Sequence, residues 1–259
     1  MKRFGPWSVA ATLLALALPA AAAEQTFEWS GTVDAGKAIE IKGVNGGIEA
    51  SGSTGGEVTL TAIKKGKKSD PSTVKIEVVE HAGGVTICAV YPSDGPPNEC
   101  KPGDGGRMKV KNNDVSVKFM VKVPAGVRFV GRTVNGGITA RDLQANAEAH
   151  TVNGGVELES TGTARAKTVN GGIDVRFGRA DWEGTLKLET VNGGIHVALP
   201  ANAGVDVKAA TVNGDIETEF PLTVRGKIGR RRLEGSIGGG GRLLEMETVN
   251  GGIELNKAS

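Results

Sequence analysis

Aromatic side chains make up 4% of this 259-residue chain, which holds one tyrosine. The lysine run at residues 64–68 has no ring interleaved with it, which argues against a single-strand nucleic-acid groove and reads as a solvated loop. Cysteine occurs twice and histidine three times (His81, His150 and His196), with no pair at metal-ligand spacing. The histidines read as outward-facing side chains, and no metal or cofactor is expected. No window of 11 or more residues beyond the N-terminal segment keeps a 3.6-residue apolar period, so helix is excluded as the main element. A phosphate loop is excluded because no Gly-x4-Gly-Lys-Ser/Thr occurs. The calcium-binding nonapeptide Gly-Gly-x-Gly-x-Asp is also missing.

What is present begins with Lys2 and Arg3, an apolar run from Trp7 to Leu18, and the small residues Ala21, Ala22 and Ala23. That pattern predicts a secretory signal peptide over residues 1–23, followed by one domain over 24–259 with no transmembrane segment. The expected location is the periplasm or the cell surface. Without Lys2 and Arg3 the 31 basic residues become 29, which equals the 29 acidic ones. A neutral mature chain argues against a nucleic-acid partner. In an oxidising compartment Cys88 and Cys100 are expected to form one disulfide, which stabilises by about 3 kcal/mol in the chain-entropy model.

The chain is organised around Thr-Val-Asn-Gly-Gly-Ile. It is plainest at residues 133–138 and returns from Thr151, Thr168, Thr190, Thr211 and Thr248, with a shorter copy at residues 44–48. The asparagines are Asn45, Asn135, Asn153, Asn170, Asn192, Asn213 and Asn250, spaced within the array by 18, 17, 22, 21 and 37 residues. Residues 235–239 fall inside the long last step and read as a degenerate copy. A period near 20 signals stacked supersecondary units, each too small to bury its own apolar face. Residues 24–130 read as less regular strands with a disulfide-pinned loop, and 131–259 as the regular array.

Two all-β architectures compete. In an antiparallel β-meander sandwich Asn-Gly is a hairpin turn, and Asn192-Gly193 would place Thr190 opposite Ile195 and Leu188 opposite Val197. In a single-stranded parallel β-helix, or solenoid, Asn-Gly-Gly is the corner of each coil. The asparagines then stack as a hydrogen-bonded ladder one strand spacing apart, about 4.8 Å, while Val and Ile fill the interior. Only the solenoid requires the same six residues to return, so it is the expected fold. On this reading Asn250 closes the ladder and Asn45 stands outside the continuous array.

The array resembles the bacterial putative-adhesin family of β-strand-repeat envelope proteins, a domain of unknown function. Residues 38–48, 123–127 and 235–241 share in the likeness. The resemblance implies a parallel β-helix and supplies no catalytic residues. Expected partners are an envelope or surface component, protein or glycan, and the expected function is a non-enzymatic adhesin or envelope scaffold. The alternative is a carbohydrate-active β-helix enzyme, which needs paired carboxylates on one outer face. Glu157, Asp174, Glu189 and Glu254 lie near the corners and read as solubilising residues in unlike repeat phases. Trp182 is an aromatic in a loop, where it can stack on a sugar or cover apolar side chains. Arg230, Arg231 and Arg232 read as a solvated loop.

Overall fold

A computed structural model describes residues 24–182, 184–224 and 229–258. The expected signal peptide lies outside the described residues. Strand β1 (Glu24–Gly31) precedes a first coil, β2 (Ala38–Lys42) and β3 (Ile48–Ser53). Strands β4 (Val58–Lys65) and β5 (Lys75–His81) lead to a second coil, β6 (Gly84–Val90) and β7 (Ser116–Pro124). Four regular coils follow. They are β8 (Arg128–Arg132) with β9 (Ile138–Leu143), β10 (Ala147–His150) with β11 (Val156–Ser160), β12 (Ala164–Lys167) with β13 (Ile173–Phe177), and β14 (Thr185–Glu189) with β15 (Ile195–Leu199). The chain then makes β16 (Val205–Ala210) and β17 (Ile216–Thr218), the strands β18 (Thr223–Val224) and β19 (Arg232–Ile237), and a last coil, β20 (Arg242–Glu247) and β21 (Ile253–Lys257).

The second strand of every coil joins sheet I, in the order β1-β4-β7-β3-β9-β11-β13-β15-β21-β17. The first strand joins sheet II, in the order β18-β19-β16-β20-β14-β12-β10-β8-β2-β6-β5. Pairing between coils is parallel, as in β9–β11 and β11–β13. The fold is therefore a parallel β-solenoid with two strands per coil. The hairpin alternative fails because β14 and β15 lie in different sheets, so Thr190 never faces Ile195.

Stacking order departs from chain order at both ends. The first coil sits between the second coil and β8–β9. The last coil slides between β14–β15 and β16–β17. Antiparallel strands then close the edges: β1 and β4 on sheet I, β5 on sheet II, and β19 with β18 at the far end of sheet II. Residues 235–239 are thus no degenerate corner. They hold the end of β19 and the first residues of its turn.

Alternation along each strand points one row inward. Ile138, Val156, Ile173, Ile195 and Ile253 from sheet I meet Phe129, Ala149, Ala166, Leu188 and Met246 from sheet II, all 3% exposed or less. Burying each large aliphatic side chain contributes about 1.5–3 kcal/mol. Lys64 belongs to this ordered framework instead of the expected solvated loop. It lies in β4, buried, and its Nζ donates to the Val74 carbonyl at 3.0 Å. Burial lowers its pKa.

Candidate functional site

Each Thr-Val-Asn-Gly-Gly corner is laid on the next by a fixed set of bonds. The Thr168 hydroxyl donates to the Gly154 carbonyl at 2.9 Å, the Asn170 amide N–H to Val152 O at 2.7 Å, and the Gly154 amide N–H to Asn170 O at 2.9 Å. The first glycine is required by proximity. A Cβ on Gly171 would stand 2.1 Å from the Gly154 carbonyl oxygen. The second is not, since a Cβ on Gly172 would meet its nearest neighbour, the Gly194 carbonyl oxygen, at 3.5 Å. That difference explains why Asp215 can replace the second glycine of its copy.

The asparagine side chains form one unbroken row. Asn135 donates to Asn45, Asn153 to Asn135, Asn170 to Asn153, Asn192 to Asn170, Asn250 to Asn192 and Asn213 to Asn250, at 2.7 to 2.9 Å. Asn45 is therefore one end of the row and Asn213 the other, while Asn250 is internal. Two expectations change. The row is exposed from Asn135 to Asn213, and the valines beside it point outward. Val134, Val152, Val191, Val212 and Val249 are between 38 and 54% exposed, whereas the threonines are buried. The corner turn rotates the chain between its two sheets, so the side chain ahead of Asn faces solvent and the one before it faces the core.

Beyond the corner, the outer face of sheet I carries a second row that the sequence reading missed. Across the parallel strands Thr139, Glu157, Asp174, His196 and Glu254 stand in register, flanked by Glu49 and Glu217. Glu157, Asp174 and Glu254 share one repeat phase, the residue after the last apolar position, and only Glu189 lies elsewhere, on sheet II. Comparing that position across the seven copies would have found them. Arg141 holds Glu157 through two bonds of 2.8 Å, Lys118 holds Glu49 at 2.7 Å, and His196 lies 3.1 Å from Glu254. Asp174 makes no ion pair among the described residues. The groups stand side by side and do not converge, and among the described residues no cluster of three or more such side chains could hold a metal ion.

Three grooves open on this face. One of about 800 Å³ includes Ser51, Thr61, Thr139 and Asp142. One of about 400 Å³ includes Thr139, Glu157, Asp174 and His196. One of about 560 Å³ includes Asp142, Glu159 and Arg176. Thr139 and Asp142 each line two of them, so the grooves run together as a trough across the strands. Asp142 holds a left-handed backbone, φ 56°, at the junction. That geometry coincides with a register shift between β9 and β11.

The outer face of sheet II is covered instead over β2, β6 and the end of β8. The Cys88–Cys100 disulfide folds residues 98–105 over it. Lys42 Nζ donates to the carbonyls of Lys101, Gly103 and Gly105 at 2.7 to 2.9 Å. The buried Glu40 accepts from Thr86, Gly103 N and Arg132, at 2.9 to 3.0 Å. Arg132 also pairs with Asp104 and Glu148. Burial lowers the Lys42 pKa, against the pull of Glu40. Where this loop replaces the repeat corner, Tyr91 ends the stack, its hydroxyl donating to Val115 O at 2.8 Å and its pKa pushed up to about 12 by burial.

Trp182 is not a surface platform. It is 3% exposed and packs on Phe177 at 5.4 Å between ring centroids, while its Nε1 donates to Leu243 O at 3.3 Å. At the far end the backbone carbonyls of Arg230 and Arg231 accept from Ile216 N and Thr211 N. That segment therefore caps the β16–β17 coil as well as meeting solvent. His81 and His150 bond to Thr86 and Glu148 and share no site with His196.

Residues 132–256 match the family model Toastrack DUF4097. No curated protein matches the chain by sequence. Among solved structures the chain is similar to a "putative cell adhesion protein" from Clostridium sporogenes, at 13% identity and TM-score 0.48, over 90% of this chain and all of that one. A "putative adhesin" from Bacteroides fragilis aligns at 13% identity and TM-score 0.37, over 90% and 97%. A "putative lipid binding protein" from Parabacteroides distasonis aligns at 14% identity and TM-score 0.27, over 91% and 97%.

Proposed function

We propose that this chain, whose residues 132–256 match the Toastrack DUF4097 family model, is a non-enzymatic binding protein of the cell envelope. In this reading an extended envelope or surface polymer lies along the sheet I trough, as in an adhesin or scaffold. The observation that carries it is the continuity of the three grooves through Thr139 and Asp142. Hydroxyls from Ser51, Thr61 and Thr139 alternate there with charges of both signs, which suits a ligand recognised by repeated hydrogen bonds. The Cys88–Cys100 bond supports residence in an oxidising compartment.

The register of Glu157, Asp174 and Glu254 favours a second reading, a carbohydrate-active enzyme. Against it, Glu157 is held by Arg141 and no enclosed cleft surrounds the row. Capture of fractionated envelope material by the purified chain tests both readings. The expected result is retention of one fraction by the wild type, loss of retention in Thr139→Arg, and no change in Lys208→Gln on sheet II. Equal retention by all three would remove the trough from the mechanism. Release of new reducing ends from a retained glycan, abolished in Asp174→Asn, would establish the enzyme instead.

A further inference from the structure

The turn between β13 and β14 is the longest among the turns of the regular coils, and its Arg179, Asp181 and Trp182 line a further pocket on the sheet II side. That cavity, of about 420 Å³, is also lined by Arg128, Asn146, Thr163 and Arg165. That volume lies within the range of small-molecule sites. The indole forms a fixed wall. Its ring is packed on Phe177, its N–H is bonded to Leu243 O, and its own carbonyl accepts from Arg242 Nε at 2.7 Å. The neighbouring strands β8, β10 and β12 form the floor.

Charge around this cavity is unbalanced. Arg179 meets Asp181 at 3.3 Å. Arg165 donates to a neutral carbonyl, Thr185 O, at 3.1 Å. Arg128 makes no ion pair among the described residues. The carboxylate at the rim, Glu148, is already engaged by His150 at 2.8 Å and Arg132 at 3.0 Å. Its bond to His150 above all holds its pKa below the usual range. Among the described residues Arg128 therefore faces the cavity without an ion pair, and Arg165 shares the attraction of Glu148 with His150 and Arg132, so the lining of three arginines against Asp181 and Glu148 keeps a cationic excess beside the polar Asn146 and Thr163.

We propose that this pocket binds an oxyanion carried by a sugar-sized ligand, with Arg128 and Arg165 as its cationic contacts and Trp182 as its wall. Guanidinium suits the planar carboxylate of a uronic acid and the oxygens of a phosphate alike. Titration of the full chain at low ionic strength with glucuronate, inorganic phosphate and glucose, followed by NMR, distinguishes the sources. Binding of glucuronate alone identifies an acidic sugar, binding of phosphate alone a phosphorylated ligand, and binding of both the shared oxyanion chemistry. Glucose should not bind.

The double variant Arg128→Gln, Arg165→Gln should bind the effective anion at least about tenfold more weakly. Both side chains are exposed, so the variant should melt like the wild type. The proposal is overturned when neither anion binds the wild type, when glucose binds as well as they do, or when the double variant binds undiminished. Capture of envelope material through the sheet I trough should survive the double variant, so each reading can fail alone.

Discussion

The Asn-Gly-Gly corner turns with nearly the same residues seven times, whereas the opposite corner of the regular coils turns in residues 144–146, 161–163 and 178–184. At the first corner the backbones of adjacent coils approach so closely that a methyl group on Gly136, Gly154, Gly171 or Gly193 would lie about 2.1 to 2.2 Å from a carbonyl oxygen. At the second, the short turns 144–146 and 161–163 stay in contact, with Thr161 N bonded to Leu143 O at 2.8 Å and Thr163 N to Asn146 Oδ1 at 3.0 Å, whereas the turn that begins with Gly178 N on Ser160 O at 2.8 Å runs on for four residues more than either. Contact between identical copies suppresses variation, because a change in one coil must be accommodated by two neighbours. Freedom from that contact lets one turn lengthen into a pocket wall. Repetition therefore reports architecture here, and departures from repetition point to individual function.

The largest expected effect breaks the repeated corner. Gly171→Ala drives a Cβ into backbone on the neighbouring coil and should cost on the order of 4 kcal/mol or prevent folding. Gly172→Ala should stay within about 0.5 kcal/mol, since its contact at 3.5 Å is ordinary. Chemical denaturation of the pair settles the matter, and equal losses would refute the proximity argument.

A smaller effect lies where the repeated corner ends. Tyr91 is neutral and buried in the folded chain with a pKa near 12, against 10.0 for an ordinary tyrosine. A raised folded pKa means its stabilisation is complete below pH 10 and is lost as pH rises towards 12, when the unfolded phenol ionises first. The loss should be on the order of 2 to 3 kcal/mol. Comparing wild type with Tyr91→Phe across that window removes the contribution of the lysines. An identical pH profile for both would contradict the assignment.

The smallest effect concerns the asparagine row. Its bonds are exposed, so Asn170→Ala should cost about 1 kcal/mol, water replacing the lost partners. Asn250→Ala should match it, because Asn250 is flanked by Asn192 and Asn213. Asn213→Ala removes a single bond at the end of the row and should cost about half as much. Thermal melts in which Asn213→Ala costs as much as Asn170→Ala while Asn250→Ala costs least would show that chain order, not stacking order, governs the corner.

Much of this was legible in the residues. The recurrence of one hexapeptide names the corner, and the alternation in Val115 to Val123 names a sheet face. The row of Glu157, Asp174 and Glu254 was equally legible, because each follows the last apolar residue of its copy. Other features were not. The outward valine and inward threonine depend on how the corner rotates between two sheets, which a period alone does not fix. Lys64 sits in a run of charges, and nothing local marks its ammonium as reaching the Val74 carbonyl. Trp182 lies in a polar segment, yet its burial comes from Phe177 and the start of β20, the latter some 60 residues away.

By itself the sequence determined that this chain is all-β and coiled on a glycine corner, because a period near 20 leaves each unit unable to bury its own apolar face. Tertiary structure alone decided the order in which the coils stack. Each coil presents its neighbours with the same Ile rows, asparagine amides and glycine carbonyls, so the last coil fits between β15 and β17 as well as it would fit after them. The antiparallel strands, the disulfide loop and the lengths of the variable turns break that equivalence. They act only once distant parts of the chain have met.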